Sequence, residues 1–574
     1  MHAAAKMPPD RALQWVAALW FGGAALAYLD FSLSTILRWA PHALYADQYR
    51  QYLDYLSRPF PLNMLQPDNG HRPVVPNLVA WLELVRFDGN QWLQIATGLG
   101  CMLTAAASIA WICLRDRDLP LARRAAAAFL GVFAIFWLGN VRTLFHSTEL
   151  IHTSLPIACL ILACGACIVA TRERGRDLAP VAAAAFLGVV ATFSFGYGIA
   201  VLVSILAVLA ARKAHRRQGA MALAGLAVVA VLYLLMPGGA SVTGVLTFAP
   251  AENLLIGARW LGAPFVTLFT YLWDPHASAL VGKDLYGVTF RFATMLSNQY
   301  PNLRTDVMPY AAFGAGGMIA LMWASLRRLR STAPAGPTEA LGLGIAWLGL
   351  LAAGIVSVSR LEAFARYPDQ IYADRYLPWP CLFWLGLALV ALSRPARNAA
   401  ACGTLAFALL LPFFGWPMEL GGAIFAALTR GVIDNTANGS IVGVIERGTS
   451  LGETETGEFV RSLSTLRHER IAQFATPAAA AIGGALPAAA RILPEAAITI
   501  RPIDDNLIGP AGSAIVARGL PVGATPSAPV LLVDASDIVV GVASSDARLD
   551  PPGYSGYARC SPCAGGLRAA VPGP

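Results

Sequence analysis

Long apolar runs alternate with short polar loops from residue 12 to residue 416. A membrane-crossing helix needs about 20 apolar residues, range ~17–25. The runs at 12–36, 91–114, 125–141, 153–170, 179–194, 198–211, 220–236, 307–326, 340–358, 377–393 and 399–416 predict eleven spans. Two of them, 179–194 and 198–211, are short and joined by Phe195-Gly196-Tyr197-Gly198. Either they stop inside the membrane, which is tolerated where helix ends face protein or a water-filled cavity, or they form an ordinary pair with a tight turn. Pro73–Phe87 is apolar but interrupted by Pro76, Glu83 and Arg86, which predicts an interfacial or re-entrant helix. Glu252–Trp273 is read the same way, at the membrane surface. If it crossed instead, the downstream topology would invert.

After residue 417 the pattern changes. Glu458–Phe474 carries helical apolar spacing at Phe459, Leu463, Leu466 and Ile471. From about Ala497 short runs alternate as strands: Ala497–Ile500, Ser513–Ala517, Val530–Val533, Ile538–Val542 and Gly556–Arg559. Asp534-Ala-Ser-Asp537 predicts a hairpin between two of them. The expected organisation is a transmembrane domain over 1–417, a helical periplasmic linker region over 418–495, and a small periplasmic β-sandwich-like domain over 496–574. The long outer loops of the first domain are 37–90 and 237–306.

Charge orients this scheme. Every second loop is an arginine patch: Arg115/Arg117/Arg123/Arg124, Arg172/Arg174/Arg176, Arg212/Lys213/Arg216/Arg217, Arg327/Arg328/Arg330 and Arg394/Arg397. Cytoplasmic loops collect Lys and Arg, so these loops and the N-terminus lie inside. An odd number of spans then puts the residues after 417 outside. The N-terminal run resembles a signal peptide up to Ala25-Leu26-Ala27 but continues to Ile36, so it reads as an uncleaved first helix.

The composition agrees. Charged residues make up 13% of the 574, mean hydropathy is +0.56, and a soluble protein carries about 25% charge. The net charge of +8 sits in loops flanking apolar spans, which argues against nucleic acid. The Ala- and Arg-rich, Lys-poor usage points to a bacterial source, and so to a multi-pass protein of the inner membrane. Seven of the nine cysteines lie in or beside apolar runs and read as small hydrophobes. Cys560 and Cys563 stand apart and, outside the cytoplasm, could pair as a tight disulfide.

No P-loop, dinucleotide fingerprint, H-E-x-x-H or G-x-S-x-G occurs, which excludes the common nucleotide-driven and hydrolase motifs. Chemistry-capable groups gather in the outer loops instead. The first holds Asp47, then Asp68-Asn69-Gly70-His71-Arg72-Pro73. A carboxylate there can take a proton from an acceptor hydroxyl, and an arginine can hold a phosphate bidentately. Structural ion pairs in a solvated loop are the plain alternative. The second loop carries Arg142, His146, Glu149 and His152. If helical, His146 and Glu149 share a face, and so do Glu149 and His152; the two His and one Glu could ligate a metal, bind a phosphate or sugar, or cap the helix. A late loop ends Asp374-Arg375-Tyr376, where Arg375 snorkels to lipid phosphate or binds a lipid-linked phosphate specifically.

These features together resemble the GT-C-type integral membrane glycosyltransferases. The segment Asn69-Gly70-His71-Arg72-Pro73 is similar to the N-E-H-R-[IP] motif of an uncharacterised bacterial multi-pass branch. There it precedes an amphipathic helix and a G-[GN]-[ND] turn, matched by Asp88-Gly89-Asn90. Ala191-Thr-Phe-Ser-Phe-Gly-Tyr-Gly198 resembles an A-T-F-S-x-x-x-G stretch, and Asp374-Arg375-Tyr376 an S/D-R-Y helix opening. Gly70 stands where the family has Glu, so that carboxylate is lost or replaced by Asp68.

The resemblance covers most of 12–416 and implies a GT-C-like α-helical polytopic fold. It implies transfer of a sugar from a polyprenyl-phosphate donor to a periplasmic glycan, lipid or protein acceptor. Asp47 would be the general base. His71, Arg72, Arg142, His146, Glu149, Asp374, Arg375 and Tyr376 would bind substrate. The expected partners are the polyprenyl-phosphate-linked sugar, membrane lipid and the acceptor, with no nucleic acid. No cofactor is expected, and a divalent metal stays open. The alternative is a non-catalytic membrane scaffold or lipid-linked glycan flippase.

Overall fold

The computed structural model describes residues 9–574 except 69, 172–176, 237–245, 271–294, 296–298, 300–307, 396, 448, 450–455, 495, 521–527, 550, 561–562, 564–565 and 573–574. Asn69, Arg172, Arg174, Arg176 and Trp273 therefore lie outside the described residues. Two parts follow one another, a helical bundle and a C-terminal sheet.

The bundle comprises α1 (Pro9–Trp39), α2 (Gln48–Ser57), α3 (Val74–Phe87), α4 (Trp92–Arg115), α5 (Leu121–Phe136), α6 (Val141–Phe145), α7 (Ser147–Ala170), α8 (Ala179–Thr192), α9 (Ile199–Ala211) and α10 (Arg216–Leu235). It continues with α11 (Pro250–Thr270), α12 (Met308–Arg330), α13 (Pro337–Ser359), α14 (Leu361–Arg366), α15 (Pro378–Leu392) and α16 (Ala399–Val442). Among the described residues seven helical stretches are long and apolar enough to cross a membrane: 11–39, 92–115, 121–145, 147–170, 308–330, 337–359 and 399–442. The runs at 179–192, 196–211 and 378–392 are shorter apolar helices. The 121–145 stretch breaks at Trp137, where a 3-10 turn separates α5 from α6.

Packing follows from apolar stripes and small residues. Phe21, Tyr28 and Ile36 recur on one face of α1 and are buried, with Tyr28 edge-on to Phe133 of α5 at 5.1 Å between ring centroids. Between α13 and α15 the backbones nearly touch. A Cβ on Gly342 would lie 2.7 Å from the Gly386 carbonyl, the close approach that small residues permit between apolar helices.

Among the described residues, arginine-patch loops share one end of the bundle. Arg123 donates to the Leu392 carbonyl at 3.2 Å and to that of Arg394. Lys213 Nζ donates to the Arg328 carbonyl at 3.1 Å, Arg212 to the Ala335 carbonyl, and Arg328 pairs with Glu339. The Leu392 and Arg328 carbonyls lie in the last turns of α15 and α12, where cations on carbonyls that helix C-termini leave unsatisfied are favourably placed. The loops around 46–71, 142–153, 195–197 and 360–376 meet at the opposite end.

At that opposite end α3 forms over the expected 73–87 segment. Its buried face is Pro76, Asn77, Ala80 and Glu83, and Glu83 caps α4 by accepting from the Leu93 and Gln94 amides at 2.8 and 3.2 Å. Asp88 and Gly89 close α3 with φ of 51° and 71°. Gly89 also has no room for a Cβ, which would sit 2.9 Å from Tyr52 and 3.0 Å from Ile471. Residues 252–270 of the 252–273 segment are helical within α11. This helix packs on α12 and reaches the end of α13 through Asn253, which donates to the Ser357 carbonyl at 2.7 Å.

Beyond residue 417 the chain does not break. Residues 418–442 continue the last apolar helix as the second half of α16. Then come α17 (Thr456–His468), α18 (Pro477–Ala481) and strands β1 (Arg491–Leu493), β2 (Ala497–Ile503), β3 (Gly512–Arg518), β4 (Val530–Val533), β5 (Val539–Asp546), β6 (Gly553–Ala558) and β7 (Arg568–Val571). The expected hairpin joins β4 and β5, with Asp534 accepting from the Ser536 and Ile538 amides.

The expected sandwich is corrected: the strands form a single antiparallel sheet in the order β1-β7-β4-β5-β6-β3-β2, curled into a half-barrel. Helices replace the second sheet. Ile441, Val442, Phe459, Leu463 and Leu466 cover Leu531, Val539, Val542 and Tyr557 on one face. Ile515, Val530, Leu532 and Tyr554 form the other face's core, so all four residues of β4 are buried. Cys560 and Cys563 are disulfide-bonded.

Candidate active site

A polar cavity of about 350 Å³ opens at the end of the bundle opposite the arginine patches. Its walls come from the start of α2, the 68–71 turn, the α6–α7 junction, the Phe195–Tyr197 turn and the 360–379 segment.

The first wall carries Asp47, Gln48 and Gln51. Gln48 is buried and locks this wall to the next. Its amide nitrogen lies 2.8 Å from Gln91 Oε1, 2.8 Å from Ser147 Oγ and 2.9 Å from Thr148 Oγ1. Its carbonyl accepts from the Tyr45 amide at 2.9 Å. A buried network with its members satisfied is rigid, so Asp47 is held beside the first turn of α7. Arg50 pairs with Asp68 at 2.7 Å and approaches Asp47 at 3.9 Å. Gln51 donates to the other Asp68 oxygen at 2.8 Å. Asp47 is the more open carboxylate, 39% exposed against 14% for Asp68.

The 68–71 turn is closed by paired backbone bonds between Asp68 and His71, with Gly70 at φ 79°. It presents His71 to the cavity against Phe195, 4.3 Å between ring centroids. His152 stacks on the same phenyl ring at 5.5 Å. Burial pushes the His71 imidazole down to about 4, helped by His152 and Arg360 and opposed by Asp68. His71 is therefore neutral near pH 7 and can donate or accept a hydrogen bond.

On the third wall, Arg142 Nη2 and Nε both reach Glu149 Oε1, at 2.9 and 3.0 Å. Glu149 Oε2 is buried and has no hydrogen-bond partner among the described residues. His146 lies edge-on to Tyr45 at 5.6 Å. On the last wall, Arg375 reaches Gln370 Oε1 at 3.4 Å and stacks over Tyr376. Asp374 caps this turn through the Arg375 amide at 2.9 Å, and burial raises its carboxyl to about 6.

Seven of the sequence candidates thus line one cavity: Asp47, His71, Arg142, His146, Glu149, Arg375 and Tyr376. Two do not. Asp374 supports the wall from behind. Arg72 turns away and lies over the Tyr233 ring at 5.2 Å, buried against α10. The cavity adds Gln48, Gln51, Asp68, His152, Tyr197, Arg360, Gln370 and Trp379. Helical spacing carried a signal for Gln51, one turn after Asp47, and for His152, three residues after Glu149. Among the described residues no three His, Cys, Asp or Glu side chains converge as a metal-ligand group. Comparison of the chain with protein families, curated proteins and solved structures finds no match.

Proposed function

We propose that the protein is a glycosyltransferase of the bacterial inner membrane. It moves a sugar from a polyprenyl-phosphate donor to a periplasmic glycan, lipid or protein acceptor. The observation that carries this reading is the cavity's content. An exposed carboxylate, three arginines and three histidines share one space at the ends of apolar helices. The likeness of the 69–73, 191–198 and 374–376 segments to GT-C-type enzymes supports it. In this reading eleven spans cross the membrane, the arginine patches face the cytoplasm, and the cavity and C-terminal sheet face the periplasm.

The chemistry assigned to these groups is one displacement. Asp47 accepts the proton of the acceptor hydroxyl as that oxygen bonds to the anomeric carbon. The bond from that carbon to the phosphate oxygen breaks, and its electron pair leaves with the lipid phosphate. Charge grows on that phosphate, and Arg142 and Arg375 balance it. His71 and Glu149 Oε2 orient sugar hydroxyls. A single displacement inverts the anomeric configuration.

The test is sugar transfer from synthetic polyprenyl-phosphate donors to lipid or glycan acceptors by the purified protein in detergent. Asp47→Asn should lower turnover about 10²–10⁴-fold, the usual worth of a positioned base. Undiminished turnover in that variant removes Asp47 from the base role. A wild-type protein inactive with every donor favours the scaffold or flippase.

A further inference from the structure

We propose that Arg360 joins Arg142 and Arg375 as the principal phosphate-binding residue of the cavity, holding the phosphodiester that links a lipid to a single sugar and then the lipid monophosphate that leaves. The identity of that ligand rests on the reading given under Proposed function.

Arg360 lies between α13 and α14, is half-buried, and lines the cavity. Its guanidinium makes no hydrogen bond and no ion pair with any described residue. The other arginines nearby are engaged: Arg142 with Glu149, Arg50 with Asp68, and Arg375 with Gln370 and the face of Tyr376. His71 and Tyr197 both feel the charge of Arg360, and neither is a carboxylate. A part-buried charge without a counter-charge is unfavourable unless something pairs with it. The planar fork of a guanidinium matches phosphate oxygens two at a time.

Position and size narrow the ligand. Arg360 follows directly on the 337–359 helix, one of the seven able to cross a membrane. Its charge therefore sits where a span ends and lipid head groups lie. The cavity's 350 Å³ is the space of about a dozen waters at ~30 Å³ each. One sugar ring and one phosphate fit within its walls.

The test is calorimetric titration of the full-length protein in detergent. The probes are a short-chain polyprenyl monophosphate, the uncharged polyprenol of equal length, and inorganic phosphate. Wild type should prefer the monophosphate over the polyprenol by at least about tenfold, the size of one charge-assisted hydrogen bond. Arg360→Gln should erase most of that preference, and Arg360→Lys should restore part of it, with polyprenol affinity and melting temperature unchanged in both. A full preference in Arg360→Gln overturns the assignment. Inorganic phosphate binding as tightly as the lipid phosphate overturns its lipid-borne source. Loss of the preference in Arg360→Gln, with no sugar transfer by wild type, sustains the anion site and overturns only the glycosyltransferase reading.

Discussion

Gly196 and His71 touch so closely that a Cβ on the glycine would strike the imidazole Nδ1. The Phe195 and Tyr197 rings close the same imidazole in from either side of that glycine. Gly196→Ala must therefore push the ring towards the cavity or move the turn. Overpacking of this kind costs about 1–3 kcal/mol. The expected result is a modest fall in melting temperature with a larger fall in substrate affinity. Unchanged affinity would mean that His71 is not a substrate contact.

The Gln48 amide predicts a different kind of loss. Gln48→Leu keeps the volume but withdraws the donor shared by Gln91, Ser147 and Thr148. Ser147 still donates to Gln91 Oε1 at 2.6 Å, but the Tyr45 amide loses the Gln48 carbonyl as its acceptor, and polar groups stripped of a partner cost about 1–3 kcal/mol. Thermal unfolding should show that cost, and amide exchange should rise at the start of α2 and of α7 together. Exchange confined to α2 would show that Gln48 does not tie the two walls.

The residues at these two positions mark what was legible in the sequence. Loop chemistry separated the two ends of the bundle, because arginine patches and His- or Asp-bearing loops alternate along the chain. The Gly-His-Arg-Pro turn pointed to His71 and Arg72 together, yet only His71 enters the cavity. Neighbouring side chains in a turn face different ways, and Arg72 found the Tyr233 ring on a helix more than 150 residues away. Gln48 gave no signal, since a glutamine beside an aspartate reads as solvated loop until its partners on α7 are known. Alternating apolar residues located the strands, but they could not say what covers each face. The second half of α16 and α17 together cover the face that was expected to meet a second sheet.

The ionisation of His71 in the cavity and of Asp374 behind its wall predicts how stability follows pH. His71 binds its proton only near 4 in the folded protein, against about 6.5 for an unperturbed histidine. Between those values the unfolded chain holds more protons, so stability rises with pH. The His71 contribution is present above about 6.5 and is lost as pH falls towards 4. Asp374 acts in the opposite sense. Its carboxyl is raised to about 6, so its contribution is present at acid pH and lost as pH rises through 6. Melting temperatures of His71→Gln should depend less on pH than wild type between 6.5 and 4. Those of Asp374→Asn should fall more steeply over the same range. Parallel profiles for all three proteins would remove both assignments.

The C-terminal part is expected to control the position of Asp47. Phe459 of α17 is fully buried and meets Tyr49 of α2 edge-on at 4.7 Å. Gln473 bonds the Tyr49 hydroxyl at 3.3 Å and accepts from the Leu44 amide at 3.4 Å. Glu458 stands 3.9 Å from Arg50. The segment after α16 thus grips the helix that opens beside Asp47. Phe459→Ala should cost about 3–5 kcal/mol, as deletion of a buried phenyl ring does, while Phe459→Leu should retain much of the packing. Limited proteolysis should cut the alanine variant sooner between α16 and β1, and its sugar transfer should fall by more than the loss of folded protein explains. If transfer per folded molecule stays at the wild-type level, the C-terminal part is an appendage to the site and does not position its base.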